Sequence, residues 1–166
     1  MPETCTAEQA DFRNAWQQNG TAKVAAFLSP HEFGELRSAV DASYELLRQH
    51  ADDDPHIDAD AARIINATDY CINTWLPLDP VGDVLPSLEL IPGSNKTMRN
   101  VPSMEGKEKS RSDDWVKSNI AGESWIPHAE PGDAIVFDHW TLHRTQRMEQ
   151  ENAVRTSCEF RFVRTS

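Results

Sequence analysis

The sequence PGDAIVFDHWTLHRT, residues 131–145, is followed after a polar segment by RTSCEFRFV, residues 155–163, and these two segments have the clearest structural pattern in the chain. The opening Pro131-Gly132-Asp133 predicts a turn, and the largely apolar run after it predicts one strand over residues 134–145. The second stretch alternates between polar and apolar side chains, which is typical of a strand with one buried face. Two strands joined by a polar loop are therefore expected near the end of the chain.

The middle of the chain is also β-like. Residues 64–79 are rich in isoleucine, threonine and aromatic side chains and end among prolines, as strands that border turns do. The sequence LELI, residues 88–91, predicts a further short strand that ends at the turn Pro92-Gly93-Ser94. Between residues 98 and 114 the chain is polar and loses its periodicity, which predicts a loop.

The first 50 residues have a helical pattern. Residues 6–18 place apolar side chains at three- and four-residue spacing, and Asn19-Gly20 predicts the end of that helix. A second helix is expected to begin at Ser29-Pro30, because serine before proline with Glu32 three residues after the serine is a capping-box signature. Its apolar stripe runs to about Gln49.

Two helices followed by several short strands predict a mainly β protein with N-terminal α-helices. Its strands would form a β-sandwich or barrel, with the helices packed on one side. A length of 166 residues suits a single domain. We expect residues 1–50 to form a helical buttress and residues 51–166 to form the β core, with the polar loop at about 98–114.

Composition narrows the classes of partner. With 16 Lys and Arg against 27 Asp and Glu, the formal net charge is −11, which argues against a nucleic-acid or anionic-membrane partner. Three widely spaced cysteines without a Cys-x-x-Cys pair favour a reducing compartment. The polar start of the chain lacks the pattern of a signal peptide, so we expect a cytoplasmic location.

Three residues form a candidate metal site. Non-haem iron sites use two imidazoles and one carboxylate on one face and leave other positions open. The chain offers one such set, His56-Ile57-Asp58 and the later His143, since residues two apart on an extended chain point the same way. In the alternative interpretation, His56 and Asp58 are ordinary residues of an acidic loop. His139 is either a pocket residue near the metal or an external surface residue.

Arg155 and Ser157 lie on the polar face of the last predicted strand and form a candidate carboxylate site. A planar guanidinium donates two parallel hydrogen bonds to a carboxylate, and the serine hydroxyl can donate another. The opposite face of the strand is apolar and can pack. The alternation alone equally allows a surface strand whose polar side faces water.

Two segments resemble the phytanoyl-CoA dioxygenase-like family. NTWLPLDPVGDVLPSLELIPGSNK, residues 73–96, resembles that family's "W-I-P-L-D … L-E-x-V-P-G-S-H" stretch. PGDAIVFDHWTLHRTQ followed by RTSCEFRF, within residues 131–162, resembles its "G-D-x-x-x-F-D-x-x-T-L-H-R-T … R-x-S-x-E-x-R-F" ending. KVAAFLSPHEF, residues 23–33, is similar to the family's "F-L-S-x-E-E" opening, which is a weaker motif.

The resemblance implies a double-stranded β-helix, also called a jelly-roll or cupin-like barrel, that uses Fe(II), 2-oxoglutarate and dioxygen. It implies that His143 is the distal iron ligand and that Arg155, with Ser157 beside it, binds the co-substrate carboxylate. With His56 and Asp58 completing the iron site, the implied activity is hydroxylation of a small-molecule substrate with release of succinate and CO₂.

The sequence also departs from the family's pattern. The region between the second helix and His56 is shorter than in typical members, and Asn95 stands where the family often has histidine. A catalytically inactive jelly-roll binding protein without a complete iron site is therefore the alternative. A cupin-like metal enzyme that is not an oxygenase, such as an isomerase, is a third. A short barrel with exposed strand edges would gain from pairing into a homodimer.

Overall fold

The computed structural model describes residues 7–49, 70–100, 113–148 and 155–164. Its helices are α1 (Ala7–Asn19), α2 (Pro30–Gln49), α3 (Ser94–Met98) and α4 (Asp113–Asn119). Its strands are β1 (Thr21–Val24), β2 (Tyr70–Pro77), β3 (Leu88–Leu90), β4 (Ala134–Asp138), β5 (His143–Thr145) and β6 (Ser157–Arg164).

The strands form two antiparallel sheets. The larger has the order β1-β4-β2-β6, and the smaller pairs β3 with β5. The prediction of a mainly β protein with N-terminal helices is therefore confirmed. Within the described part of the chain, the two sheets do not close into a barrel.

The larger sheet buries one face against the smaller sheet. Trp75, Ile135 and Phe137 point to this side, which we call the inner face, and pack in one cluster with Leu88 and Leu90 of β3. All five side chains are less than a tenth exposed. Burial of this apolar surface holds the two sheets together.

The opposite side of the larger sheet, the outer face, is covered by the N-terminal helices. Leu76, Ala134 and Val136 are buried there beneath Trp16 of α1 and Leu36 of α2. This arrangement confirms that the helices pack on one side of the β core.

Both predicted signals at helix ends are confirmed. Gly20 adopts a φ of 65°, and its N–H donates to the Trp16 carbonyl at 2.9 Å, which ends α1 with a left-handed cap. At the start of α2 the Ser29 N–H donates to Glu32 Oε2 at 2.9 Å. In return, the Glu32 N–H donates to Ser29 Oγ at 3.3 Å.

Other sequence predictions are wrong or incomplete. The single strand expected over residues 134–145 is broken after Asp138, so that β4 and β5 belong to different sheets. The short strand β1 was not predicted. On β6, the apolar side expected to pack is only partly covered, since Phe160 and Phe162 remain 45% and 60% exposed on the outer face.

No helix in the described segments is long and apolar enough to cross a membrane.

Asp133 connects the start of β4 to the loop that follows β1. Its carboxylate accepts hydrogen bonds from the N–H groups of Ala26 and Glu130, at 2.9 and 3.1 Å, and pairs with Lys23 at 2.8 Å. Ala26 has a positive φ of 48°, and a backbone held in that region needs support from its surroundings. Burial alone would raise the pKa of Asp133, but the bonds from Lys23 and the two N–H groups outweigh it and lower the pKa.

We expect Asp133→Asn to reduce the free energy of unfolding at pH 7 by about 1.5–3 kcal/mol, the usual range for hydrogen bonds to a charged group. The pKa of Asp133 lies lower in the folded than in the unfolded chain. Its contribution is therefore present above the ordinary value of 3.8 and is lost as the pH falls through the folded pKa.

Urea unfolding of both proteins, from pH 7 down to the lowest pH at which they remain folded, measures this difference. Asp83→Asn is the control, because that side chain is 81% exposed. A difference between wild type and Asp133→Asn that does not shrink at low pH would contradict the assignment.

Candidate functional site

A tight turn between β4 and β5 presents His143. Asp138, which is 1% exposed, ends β4 and accepts a hydrogen bond from the Trp140 N–H through its carboxylate at 2.9 Å. Its carbonyl accepts the Thr141 N–H at 2.8 Å, and its carboxylate also pairs with Arg99. These bonds stabilise a turn, so the chain does not continue as a single strand after Asp138.

Residues from the first 100 positions brace the same turn. The Gly20 carbonyl accepts the Asp138 N–H at 2.8 Å and the Thr141 hydroxyl at 3.2 Å, and Ser94 Oγ accepts the Leu142 N–H at 2.9 Å. Gly20 lies so close to Asn95 that a Cβ on Gly20 would meet the Asn95 amide at 2.4 Å. The ends of α1 and α3 thus determine where the turn lies.

The His143 imidazole is oriented by its neighbours. Its Nδ1 lies 2.8 Å from the Thr141 carbonyl, and its ring centre lies 4.6 Å from that of Phe137 on the inner face. Because a carbonyl can only accept, Nδ1 must carry the hydrogen, which leaves Nε2 of the neutral ring with a lone pair. Metal-binding histidines commonly have this arrangement.

His139 lies in the turn, and its side chain is 18% exposed, so the interpretation as an external surface residue is wrong. Its Nδ1 lies 3.0 Å from the Cys71 carbonyl and 3.3 Å from the Cys71 amide nitrogen, at the start of β2. His139 therefore joins the turn to β2.

Arg155 lies over the inner face of the sheet. Its guanidinium carbon is 5.1 Å from the centre of the Trp75 ring, and its Nε is buried without a hydrogen-bond partner. Burial lowers the pKa of Arg155. A buried N–H donor of a cation that lacks an acceptor fits an anionic ligand, because leaving such a group unpaired is costly.

Asp79 fixes the backbone beside Arg155. One oxygen of its carboxylate accepts the Thr156 N–H at 2.8 Å, and the other pairs with Arg37 of α2 at 3.1 Å. The Leu78 N–H also donates to the Thr156 carbonyl at 2.9 Å. Burial raises the pKa of Asp79, but the bonds from Thr156 and Arg37 outweigh it, so the pKa is lowered.

The structure therefore brings His143 and Arg155 to the inner face of one sheet. Phe137, which contacts His143, pairs across the strands with Asn73, and Trp75, beneath Arg155, follows two residues later on β2. Ser157 begins β6 opposite Pro77, two residues after Arg155. Chemically, the described part of the site combines one metal-competent imidazole with one guanidinium suited to a carboxylate.

His56 and Asp58 lie outside the described residues, so their predicted part in the site stays a prediction. Within the described ranges, no group of three or more His, Cys, Asp and Glu side chains could hold a metal ion. His143 is thus the one member of the predicted ligand set that the structure describes.

Sequence reasoning missed the parts played by Asp79 and Asp138. Both stand in the motifs that were recognised, W-L-P-L-D and F-D, but neither was given a role. An aspartate directly after a strand is a common acceptor for the backbone N–H groups of a turn, and this is the signal that could have identified them.

The chain is similar to known proteins in both sequence and fold. The family model described as phytanoyl-CoA dioxygenase (PhyH) matches residues 49–152, a range that includes His56, Asp58 and His143 and ends before Arg155. No curated protein matches the sequence.

Several solved structures share the fold at low identity. The epimerase SnoN, in complex with Fe3+, alpha ketoglutarate and nogalamycin RO, is 10% identical with a TM-score of 0.59, covering 93% of this chain and 82% of its own. AviO1 from Streptomyces viridochromogenes is 13% identical with a TM-score of 0.59, covering 96% and 95%. EctD from S. alaskensis, with 2-oxoglutarate and 5-hydroxyectoine, is 13% identical with a TM-score of 0.55, covering 88% and 72%.

We expect Asp79→Ala to lower the free energy of unfolding by about 1.5–3 kcal/mol, because the Thr156 N–H and Arg37 lose a charged acceptor. Asp41→Ala is the matched control, since Asp41 pairs with the same arginine but its side chain is 57% exposed. That change should cost no more than about 0.5 kcal/mol. Chemical denaturation of the two variants compares them, and equal losses would show that the bond to Thr156 is unimportant.

Proposed function

Because the chain belongs to the phytanoyl-CoA dioxygenase (PhyH) family, we propose that it is an Fe(II)/2-oxoglutarate-dependent oxygenase. The observation that carries the proposal is the placement of His143 and Arg155 on one inner face of the sheet. Each has the bonding state that its proposed ligand requires. The His143 ring is oriented through Nδ1, so that Nε2 carries the lone pair when the ring is neutral, and Arg155 has a buried N–H without an acceptor.

The described residues fit both groups. Fe(II) accepts imidazole nitrogen, and Nε2 of His143 would be its distal ligand. The distal carboxylate of 2-oxoglutarate would bind Arg155, with Ser157 donating a further hydrogen bond. We propose that His56 and Asp58 complete the iron site and that the two sheets belong to a double-stranded β-helix.

Once bound, Fe(II) would activate dioxygen, and the accompanying oxidation of 2-oxoglutarate would give succinate and CO₂ as co-products. The part of the protein would be to hold the co-substrate by its far carboxylate and to keep the His143 ring oriented. We propose hydroxylation of a small molecule as the reaction. SnoN and EctD are solved with nogalamycin RO and 5-hydroxyectoine respectively, which supports the proposal of a small-molecule substrate.

The first test is an anaerobic titration of the metal-free protein with Fe(II) and then 2-oxoglutarate, following the visible charge-transfer band of the chelate. His143→Ala should weaken iron binding by more than about 100-fold, since losing only a hydrogen-bond partner of a ligand costs 10–100-fold. Arg155→Gln should keep iron binding but lower the affinity for 2-oxoglutarate by about 10–100-fold. That loss corresponds to the free energy of hydrogen bonds to a charged group.

His128→Ala serves as the control because that histidine side chain is 64% exposed and pairs with the surface residue Asp83. A wild-type protein that binds iron but never develops the band with 2-oxoglutarate would favour the metal enzyme of another class. A wild-type protein that does not bind iron would favour the inactive binding protein.

A second test concerns the proposed proximal ligands. We expect His56→Ala and Asp58→Ala each to weaken Fe(II) binding by more than about 100-fold, as for His143→Ala. His31→Ala, a change at a side chain that is 81% exposed, should leave iron binding unaltered. Competition with a chromophoric chelator measures the iron affinity of each protein. Wild-type affinity in both variants would remove His56 and Asp58 from the site.

A further inference from the structure

Arg155 contacts the Trp75 ring, and in the described part of the chain it has no acidic partner. The guanidinium carbon lies 5.1 Å from the ring centre of Trp75, an indole that is only 3% exposed. Among the described residues no acidic side chain forms an ion pair with Arg155, and its buried Nε has no acceptor. The arginine is therefore held next to an aromatic face and not by a carboxylate.

An aromatic face can hold a cation without occupying its hydrogen-bonding groups. The negative face of the indole attracts the guanidinium, and this attraction is strongest where water is excluded. A guanidinium forms its strong hydrogen bonds with oxygen acceptors, and the indole ring offers none, so contact with the ring leaves those donors available to a ligand. An aspartate or glutamate partner would instead compete with a ligand carboxylate for the same donors.

The ring itself is fixed. Trp75 lies on the central strand β2, where it pairs with Ile135 on one side and Glu159 on the other, and it belongs to the core between the two sheets. The backbone next to Arg155 is fixed separately, through the bond from Thr156 to Asp79. Both ends of the arginine are thus held by rigid parts of the fold.

We propose that Trp75 is the positioning residue for Arg155, holding the guanidinium ready for the distal carboxylate of 2-oxoglutarate before the co-substrate arrives. The inference rests on the proposed function. In physical terms, Trp75 would preorganise the Arg155 side chain for binding. An arginine that is already placed loses little side-chain freedom when the ligand binds, whereas an unsupported arginine must be ordered at the expense of affinity.

Two 2-oxo acids distinguish this role of Trp75 from a general contribution to the stability of the core. 2-Oxoglutarate has both the 2-oxo acid group that chelates iron and the distal carboxylate that would reach Arg155. 2-Oxobutyrate has the same chelating group but no distal carboxylate. Loss of the Trp75 ring should therefore lower the affinity for 2-oxoglutarate and leave the affinity for 2-oxobutyrate almost unchanged. A general loosening of the core would weaken both.

The experiment is an anaerobic titration of the Fe(II)-loaded protein with each 2-oxo acid, reading the charge-transfer band. For 2-oxoglutarate we expect dissociation constants about 10-fold higher in Trp75→Leu and about 3-fold higher in Trp75→Phe, which keeps a smaller aromatic face. For 2-oxobutyrate both variants should stay within about twofold of wild type. In an Arg155→Gln background, Trp75→Leu should have no additional effect, because the two residues act through one contact.

Trp125→Leu is the matched control, since Trp125 packs against the same core cluster as Trp75. It should leave both affinities within about twofold of wild type, a change worth less than the weakest cation–π contact. If Trp75→Leu does not fold, Trp75→Phe and the comparison of the two ligands still decide the question.

Equal loss of affinity for both 2-oxo acids, or none for either, would overturn the assignment of Trp75 while leaving the proposed function intact. A wild-type protein that gives no band with 2-oxoglutarate would overturn both together.

Discussion

The register of β2 determines which side chains face the candidate site and which face the helices. This strand lies between β4 and β6, and its pairing with β6 runs without interruption from Tyr70 opposite Arg164 to Pro77 opposite Ser157. Because neighbouring side chains on a strand point to opposite faces, the register places Trp75 on the inner face and Leu76 beneath the helices. A slip of one residue would exchange the two and leave the arginine without its aromatic support.

Three aspartates connect this sheet to its loops in the same way. Each lies at or near the end of a strand, accepts at least one backbone N–H from a neighbouring loop, and pairs with a cation from another segment. The aspartates and their cations are Asp79 with Arg37, Asp133 with Lys23, and Asp138 with Arg99. Aspartates within the recognisable sequence motifs of this chain thus hold loops in place, and these loops adjoin the residues that we propose to bind ligands.

Local signals were predictable from the sequence, and long-range ones were not. The caps at Gly20 and Ser29 involve residues a few positions apart, so periodicity and turn chemistry were sufficient to predict them. The break after Asp138 depends on distant partners such as Ser94, which no local pattern reveals. His143 and Arg155 were recognised from their motifs, but the support that Trp75 gives to Arg155 requires knowledge of which strands are neighbours.

The strand order has a consequence for the synthesis of the protein on the ribosome. Val24 at the end of β1 pairs with Ala134, and among the described strands the partners of β2 are β4 and β6, within residues 134–164. Closing such long loops is slow, and it cannot begin until the later strands have been made. The nascent chain therefore carries Trp16 and its neighbouring apolar residues without their complete sheet until β4 and β6 have been synthesised, and chaperones bind such exposed hydrophobic segments.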